Sequence, residues 1–230
     1  MLVEERWIFV SIACSVSACG GGDSNAPVSA AACFDASTFA PGPAIVQKLE
    51  DRTMRWVVED GLTTFNGVAS LVTRTAVISY YDNRTPSSTQ KSFYGSITGP
   101  EIIYYGHYHS FGSFLNLTAV SETTVYSAPF VERRYTMKVG ESFDFSNSGK
   151  TRRESPAIVP YEYEYTIVVT AKFEGFEEVS IGDRTVKACK FSEGKKTDWH
   201  YRGMRIQWVN PDRPAENIRT LSLTRNGEAY

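Results

Sequence analysis

Apolar and polar residues alternate along most of this chain, and the alternation is clearest over residues 161–173. There Tyr161, Tyr163, Tyr165, Ile167, Val169, Ala171 and Phe173 share one face, while Glu162, Glu164, Thr166, Thr170 and Lys172 share the other. Side chains on a strand point to opposite faces in turn, so this pattern predicts a half-buried antiparallel strand. At about 3.3 Å per residue it would run roughly 40 Å, a length that forces twist and curl. Weaker alternation predicts further strands at residues 53–60, 67–74, 76–82, 90–97, 101–110, 113–120, 123–127 and 133–139. Others follow at 179–181, 184–191, 197–201, 204–209 and 218–224, and residues 44–50 fit a strand better than a short helix. Turn formers separate many of them: residues 82–86, 146–149, the pair Gly182-Asp183, and Asn226-Gly227, which can fold residues 228–230 back as a hairpin. Helical periodicity is scarce. So many strands without covering helices must close on themselves, which predicts a mostly β fold: a single antiparallel, strongly curved sheet or open barrel, with a sandwich as the other solution. No composition break forces a domain boundary; residues 146–159 are the best place for one.

The N-terminus breaks the pattern. Residues 7–18, WIFVSIACSVSA, carry no charge. The run is too short to cross a bilayer, which takes about 20 apolar residues, and has the length of a signal-peptide core. It ends in Val16-Ser17-Ala18-Cys19-Gly20, which looks like a lipobox: an aliphatic residue, small residues, then the cysteine whose sulfur takes the lipid. The reading is a lipoprotein signal peptide over residues 1–18, an acylated Cys19 carrying palmitate-type chains, a flexible linker over residues 19–32, and a β domain over residues 33–230. Two readings compete. Val16 and Ala18 also suit an ordinary signal peptidase, which would leave a free Cys19, and the segment could be a buried N-terminal stretch of a cytosolic protein. By resemblance to lipoproteins of Gram-negative bacteria, in which Asp after the lipidated cysteine retains the protein at the inner membrane, Gly20 implies the outer membrane, with the domain on its periplasmic face.

That compartment changes the cysteine arithmetic. Cys14 leaves with the signal and Cys19 carries lipid, so Cys33 and Cys189 remain as an even pair in an oxidising space. A disulfide is expected between them, the alternative being two free thiols with Cys189 buried on a strand. Removing residues 1–18 leaves 23 basic and 24 acidic residues. A nearly neutral chain offers no electrostatic footprint for nucleic acid or for a polybasic membrane contact, so the expected membrane attachment is the N-terminal lipid alone.

The stretch Phe173-Glu174-Gly175-Phe176-Glu177-Glu178-Val179-Ser180-Ile181, the turn Gly182-Asp183-Arg184 and the strand ending at Cys189 resemble a phrase of uncharacterised proteobacterial lipoproteins. Trp199-His200-Tyr201-Arg202-Gly203, Cys33-Phe34 and Phe65-Asn66-Gly67 fit the same outline. That family is similar to open-barrel envelope proteins that carry lipoproteins or other lipids. The resemblance implies a lipid-carrier-like β domain in the cell envelope and brings no catalytic residue or cofactor with it.

Candidate chemistry is sparse. His107 and His109 fall on one strand face with Tyr105, a spacing at which two imidazoles could share a metal, but a zinc site takes three or four ligands and only His200 remains among the histidines. Packed or solvated strand histidines are the simpler expectation. There is no Gly-x-Ser-x-Gly elbow, phosphate loop or dinucleotide fingerprint. Glu177 and Glu178 point to opposite faces, and Glu162 and Glu164 read as the solvated side of their strand. Tyr104, Tyr105, Tyr108, Tyr161, Tyr163 and Tyr165 could line a groove for a lipid or glycan, because tyrosine joins an apolar body to a polar tip; they equally suit an ordinary β core and rim. The expectation is a non-enzymatic, cofactor-free outer-membrane lipoprotein that binds a lipid or other hydrophobic envelope component. The alternatives are a structural or protein-interaction module of the envelope and, more distantly, an envelope hydrolase.

Overall fold

The computed structural model describes residues 28–82, 85–97, 99–111, 119–156 and 158–230. The signal peptide, Cys19, most of the linker, part of the 82–86 turn and most of the strand expected at 113–120 lie outside the described residues.

The described strands are β1 (Ile45–Leu49), β2 (Arg52–Val58), β3 (Thr63–Phe65), β4 (Val68–Tyr80), β5 (Ser88–Tyr94), β6 (Ile102–Phe111) and β7 (Val120–Glu132). They continue as β8 (Ser142–Ser155), β9 (Ile158–Ile181), β10 (Arg184–Glu193), β11 (Lys196–Tyr201), β12 (Met204–Val209), β13 (Ile218–Arg225) and β14 (Glu228–Ala229). Neighbours pair antiparallel in chain order, with β3 standing aside on β4 and β14 on β13. β1 also pairs with β13, from Ile45↔Arg225 to Leu49↔Thr220, and so closes twelve strands into a barrel. The fold class is as the alternation predicts, and of the expected architectures it is a barrel, fully closed rather than open.

Twelve strands enclose more space than wall side chains can fill, since about eight already give an interior just wide enough for them. The protein fills the excess with its own leading segment. Two short 3-10 turns, Ala30–Cys33 and Ala36–Phe39, are capped by the Ser29 and Asp35 side chains. They place Ala30, Cys33 and Phe39 in the core. Cys33 is disulfide-bonded to Cys189 of β10, with Cα atoms 5.9 Å apart. Around this bond pack Met137, Phe173 and Phe191. Phe39 meets Tyr94, Ile102 and Tyr135, and the Tyr94 hydroxyl donates to the Phe39 carbonyl at 2.8 Å. A separate cluster joins Ile45, Val179, Ile206, Leu223 and Trp199. Each fully buried side chain of this size contributes about 1.5–3 kcal/mol against exposure.

The long alternating run belongs to a still longer strand. β9 takes in residues 161–173 and 179–181 and bends at a bulge where Gly175, at φ +116°, faces Lys190. Only its second half is core. From Ala171 onward inward residues are buried, whereas Tyr161, Tyr163, Ile167 and Val168 are exposed. The reason is pairing: β10 reaches only to Glu193↔Ala171, so the β8–β9 hairpin runs on past the barrel wall. Among the described residues no strand pairs with the β10-side edge of residues 158–170.

Several expectations are corrected. Residues 67–74 and 76–82 form one strand, β4, and not two. Residues 146–149 are no turn but the middle of β8, where Gly149 is needed for close approach: a Cβ there would strike the Val125 carbonyl. The same strand removes 146–159 as a domain boundary. Residues 133–139 are not a strand: Arg134–Thr136 makes a 3-10 turn, closed by Thr136 Oγ1 donating to the Arg133 carbonyl. Finally, residues 28–32 do not behave as linker. Ser29 bridges to Lys138, and Ala30 is fully buried.

Candidate functional site

Between the leading segment and the walls of β1, β2, β4, β6 and β12 lies a cavity of about 430 Å³. Its apolar lining comes from Phe39, Leu49, Met54, Trp56, Ile78 and Ile102. These residues occupy the inward phase of their strands: Met54 and Trp56 on β2, Ile78 on β4. Its polar lining includes Gln47, Arg52, Arg74, Gln90, Arg134 and His200. Gln47 is committed to the wall, donating from Nε2 to the Arg205 carbonyl and to Thr220 Oγ1, each at 2.8 Å.

One side of the cavity is a buried ionic clasp. Arg134, drawn inward by its 3-10 turn, meets Asp198 at 2.9 Å, Glu193 at 2.9 Å and Glu132 at 3.4 Å. His200 Nε2 lies 3.1 Å from the Arg134 guanidinium and 3.3 Å from Asp198 Oδ2, and its Nδ1 lies 2.8 Å from the Tyr135 hydroxyl. Burial pulls the His200 pKa down to about 4, with the Arg134 charge adding to it against the pull of Asp198. Burial pushes Asp198 up, but His200 and the cations Arg205 and Arg134 outweigh it and hold the carboxyl at about 2. At neutral pH the clasp is thus an ionised Asp198, a neutral His200 and a charged Arg134. Burial pushes the Tyr135 hydroxyl far above its ordinary range, so it is a hydrogen-bonding group and no nucleophile. The arrangement fastens the β7–β8 connection to β10 and β11.

His107 and His109 do share a face of β6, as expected, in a shallower groove with Tyr104, Tyr108, Tyr126 and Phe130. His107 Nδ1 lies 3.3 Å from the Tyr126 hydroxyl, and the His109 ring sits 3.8 Å from that of Phe111. Burial lowers both pKa values. Glu122, opposite His109 across the ladder, is taken by Arg153 at 3.3 Å. Among the described residues no group of three or more His, Cys, Asp or Glu side chains is placed to hold a metal. Of the six tyrosines, Tyr104 lines the main cavity, Tyr108 the shallower groove, and Tyr161 and Tyr163 stand exposed on the projecting hairpin.

Arg74, Arg134, Glu132 and Asp198 escape a reading of the sequence alone. For Arg74 a signal exists: it interrupts the run Leu71 to Ile78 in phase with inward-facing Ala76 and Ile78. The clasp has no comparable signal, because its members come from three separated segments. Comparison with protein-family models, curated proteins and solved structures found no match to this chain.

Proposed function

We propose that this chain is an outer-membrane lipoprotein, anchored through Cys19 and facing the periplasm, whose barrel holds a lipid or other hydrophobic envelope component. The observation that carries the binding half of this reading is the 430 Å³ cavity with its apolar lining. It falls within the about 300–1,000 Å³ of small-molecule sites, and its few convergent polar groups suit an amphiphile. The anchor half rests on the Val16-Ser17-Ala18-Cys19 motif, and the disulfide between Cys33 and Cys189 is consistent with an oxidising compartment. The resemblance to lipid-carrying envelope lipoproteins points the same way, although the barrel here is closed where theirs is open. Native mass spectrometry of the purified protein tests the binding: co-purifying lipid is expected, and a clean mass with no uptake of an added fatty acid or fatty alcohol defeats it. Labelling cells with radioactive palmitate tests the anchor, which fails if the Cys19→Ala protein is labelled as strongly as wild type.

A second reading, a protein-interaction module of the envelope, draws on the unpaired β9 edge and on Val159, Tyr161, Tyr163, Ile167 and Val168 exposed beside it. Unpaired edges are ready templates for strand addition. Cross-linking in cells from residues on that hairpin decides for it if a reproducible partner appears while lipid binding does not.

A further inference from the structure

The cavity holds one charge that no described residue balances. Arg74, on β4, is 8 % exposed. Its guanidinium carbon sits 4.3 Å from the Trp56 ring centroid and 4.8 Å from that of Phe39. Nη2 lies 2.6 Å from the Met204 sulfur, a weak acceptor, and Nε has no hydrogen-bond partner. The adjoining Trp56 Nε1–H is buried and also unpartnered. Among the described residues no carboxylate forms an ion pair with Arg74; Glu132, the carboxylate that lines the cavity, is engaged by Arg134. Burial lowers the Arg74 pKa, but a guanidinium stays protonated in proteins.

The contrast with Arg134 is instructive. Two arginines are 8 % exposed in the same interior; among the described residues one meets three carboxylates and the other meets none. Rings on two sides compensate part of the cost, since a desolvated cation is attracted to the face of an aromatic ring. A buried charge without a hydrogen-bonded counter-ion still costs far more than that attraction offsets. The missing partner has a definite chemistry: an anion able to accept from a guanidinium and from an indole N–H together, next to an apolar cavity.

We propose that Arg74 and Trp56 form the receiving site for the carboxylate of a single-chain amphiphile, bound head inward with its alkyl chain among Leu49, Met54, Ile78 and Ile102. This rests on the cavity being a binding site and names what it binds: a fatty-acid-type monoanion and not a neutral lipid. The carboxylate brings two acceptor oxygens, enough for both orphan donors, and neutralises the interior charge.

The test compares dodecanoate with dodecanol, titrated into the purified, delipidated protein and followed by calorimetry and tryptophan fluorescence. Wild type should bind dodecanoate about tenfold or more tighter than dodecanol, the margin of a charge-assisted hydrogen-bonded pair. Arg74→Met should remove that margin, lowering dodecanoate affinity about tenfold more than dodecanol affinity. It should also raise the melting temperature of the ligand-free protein, because it replaces an unbalanced buried charge by an apolar side chain of similar length. Should Arg74→Met not fold, Trp56→Phe removes the indole donor while leaving an aromatic ring beside Arg74, and should weaken dodecanoate more than dodecanol. Equal affinity for acid and alcohol in wild type, or an undiminished preference for the acid in the variants, overturns the assignment and leaves a hydrophobic-binding barrel standing. Binding of neither probe removes the cavity reading itself.

Discussion

His200 should make this protein's stability fall steeply between pH 7 and pH 5. Its imidazole is buried beside the Arg134 guanidinium, which keeps it neutral down to about pH 4, against an ordinary value of 6.5. The unfolded chain therefore takes up a proton at this residue in a range where the folded protein does not. A histidine with a depressed folded pKa contributes stability above its unfolded value, and that contribution drains away as pH falls from 6.5 towards 4. At pH 5 the unfolded imidazole is almost wholly protonated and the folded one mostly neutral, so the loss relative to pH 7 is about 2 kcal/mol, approaching about 3 kcal/mol below pH 4. Asp198, held at about 2, loses its own contribution only below 3.8 and is silent in this window. Glu193 works in the opposite sense, since burial raises its pKa and favours the folded state as pH falls, but it is common to wild type and variant. The experiment is guanidinium unfolding of wild type and His200→Gln at both pH values. Wild type should lose about 2 kcal/mol more than the variant over the interval. Parallel losses in the two proteins, or a His200 resonance that titrates near 6.5 by NMR, would refute the account of the clasp.

Three further outcomes follow. Reducing the Cys33–Cys189 bond, whose partners are 156 residues apart, should destabilise the barrel by up to about 5 kcal/mol on chain-entropy grounds, read as a fall in the denaturant midpoint. Phe191→Ala, which empties the centre of the disulfide cluster, should cost about 3–5 kcal/mol in the same assay, and a cost under 1 kcal/mol would show that the cluster is not packed as described. Val168→Lys, at a site 65 % exposed beside the unpaired β9 edge, should change stability by less than about 0.5 kcal/mol while slowing aggregation measured by light scattering.

The strands were legible because alternation needs only neighbours in sequence. β12 stands where Met204, Ile206 and Trp208 recur at every second position, and β9 contains the longest such run. What failed was local grammar overruled by pairing. Ser146 to Gly149 has the composition of a turn, yet β9 supplies a partner along its whole length, and a satisfied ladder outweighs a turn preference. Residues 133–139 alternate like a strand, yet two distant carboxylates, Glu193 and Asp198, together with neighbouring Glu132 hold Arg134 inward, and a 3-10 turn replaces the ladder. The cavity depends on the same non-local information: Trp56 and Arg74 share no motif and meet through the β2–β4 pairing, and Phe39 joins them because the leading segment turns back into the barrel. The cysteine pair was readable from compartment logic, whereas its contribution to filling an oversized interior was not.

Closure of β1 onto β13 has a consequence for how the chain can be made. Synthesis delivers β1 early and β13 late, so one flank of the first wall strand stays bare until residues 218–225 have emerged. Contacts of such separation in sequence form slowly, and a bare strand flank invites foreign pairing meanwhile. Loss of residues 218–225 would leave the cylinder with a permanent slit, which makes that late strand as structural as any in the middle of the chain.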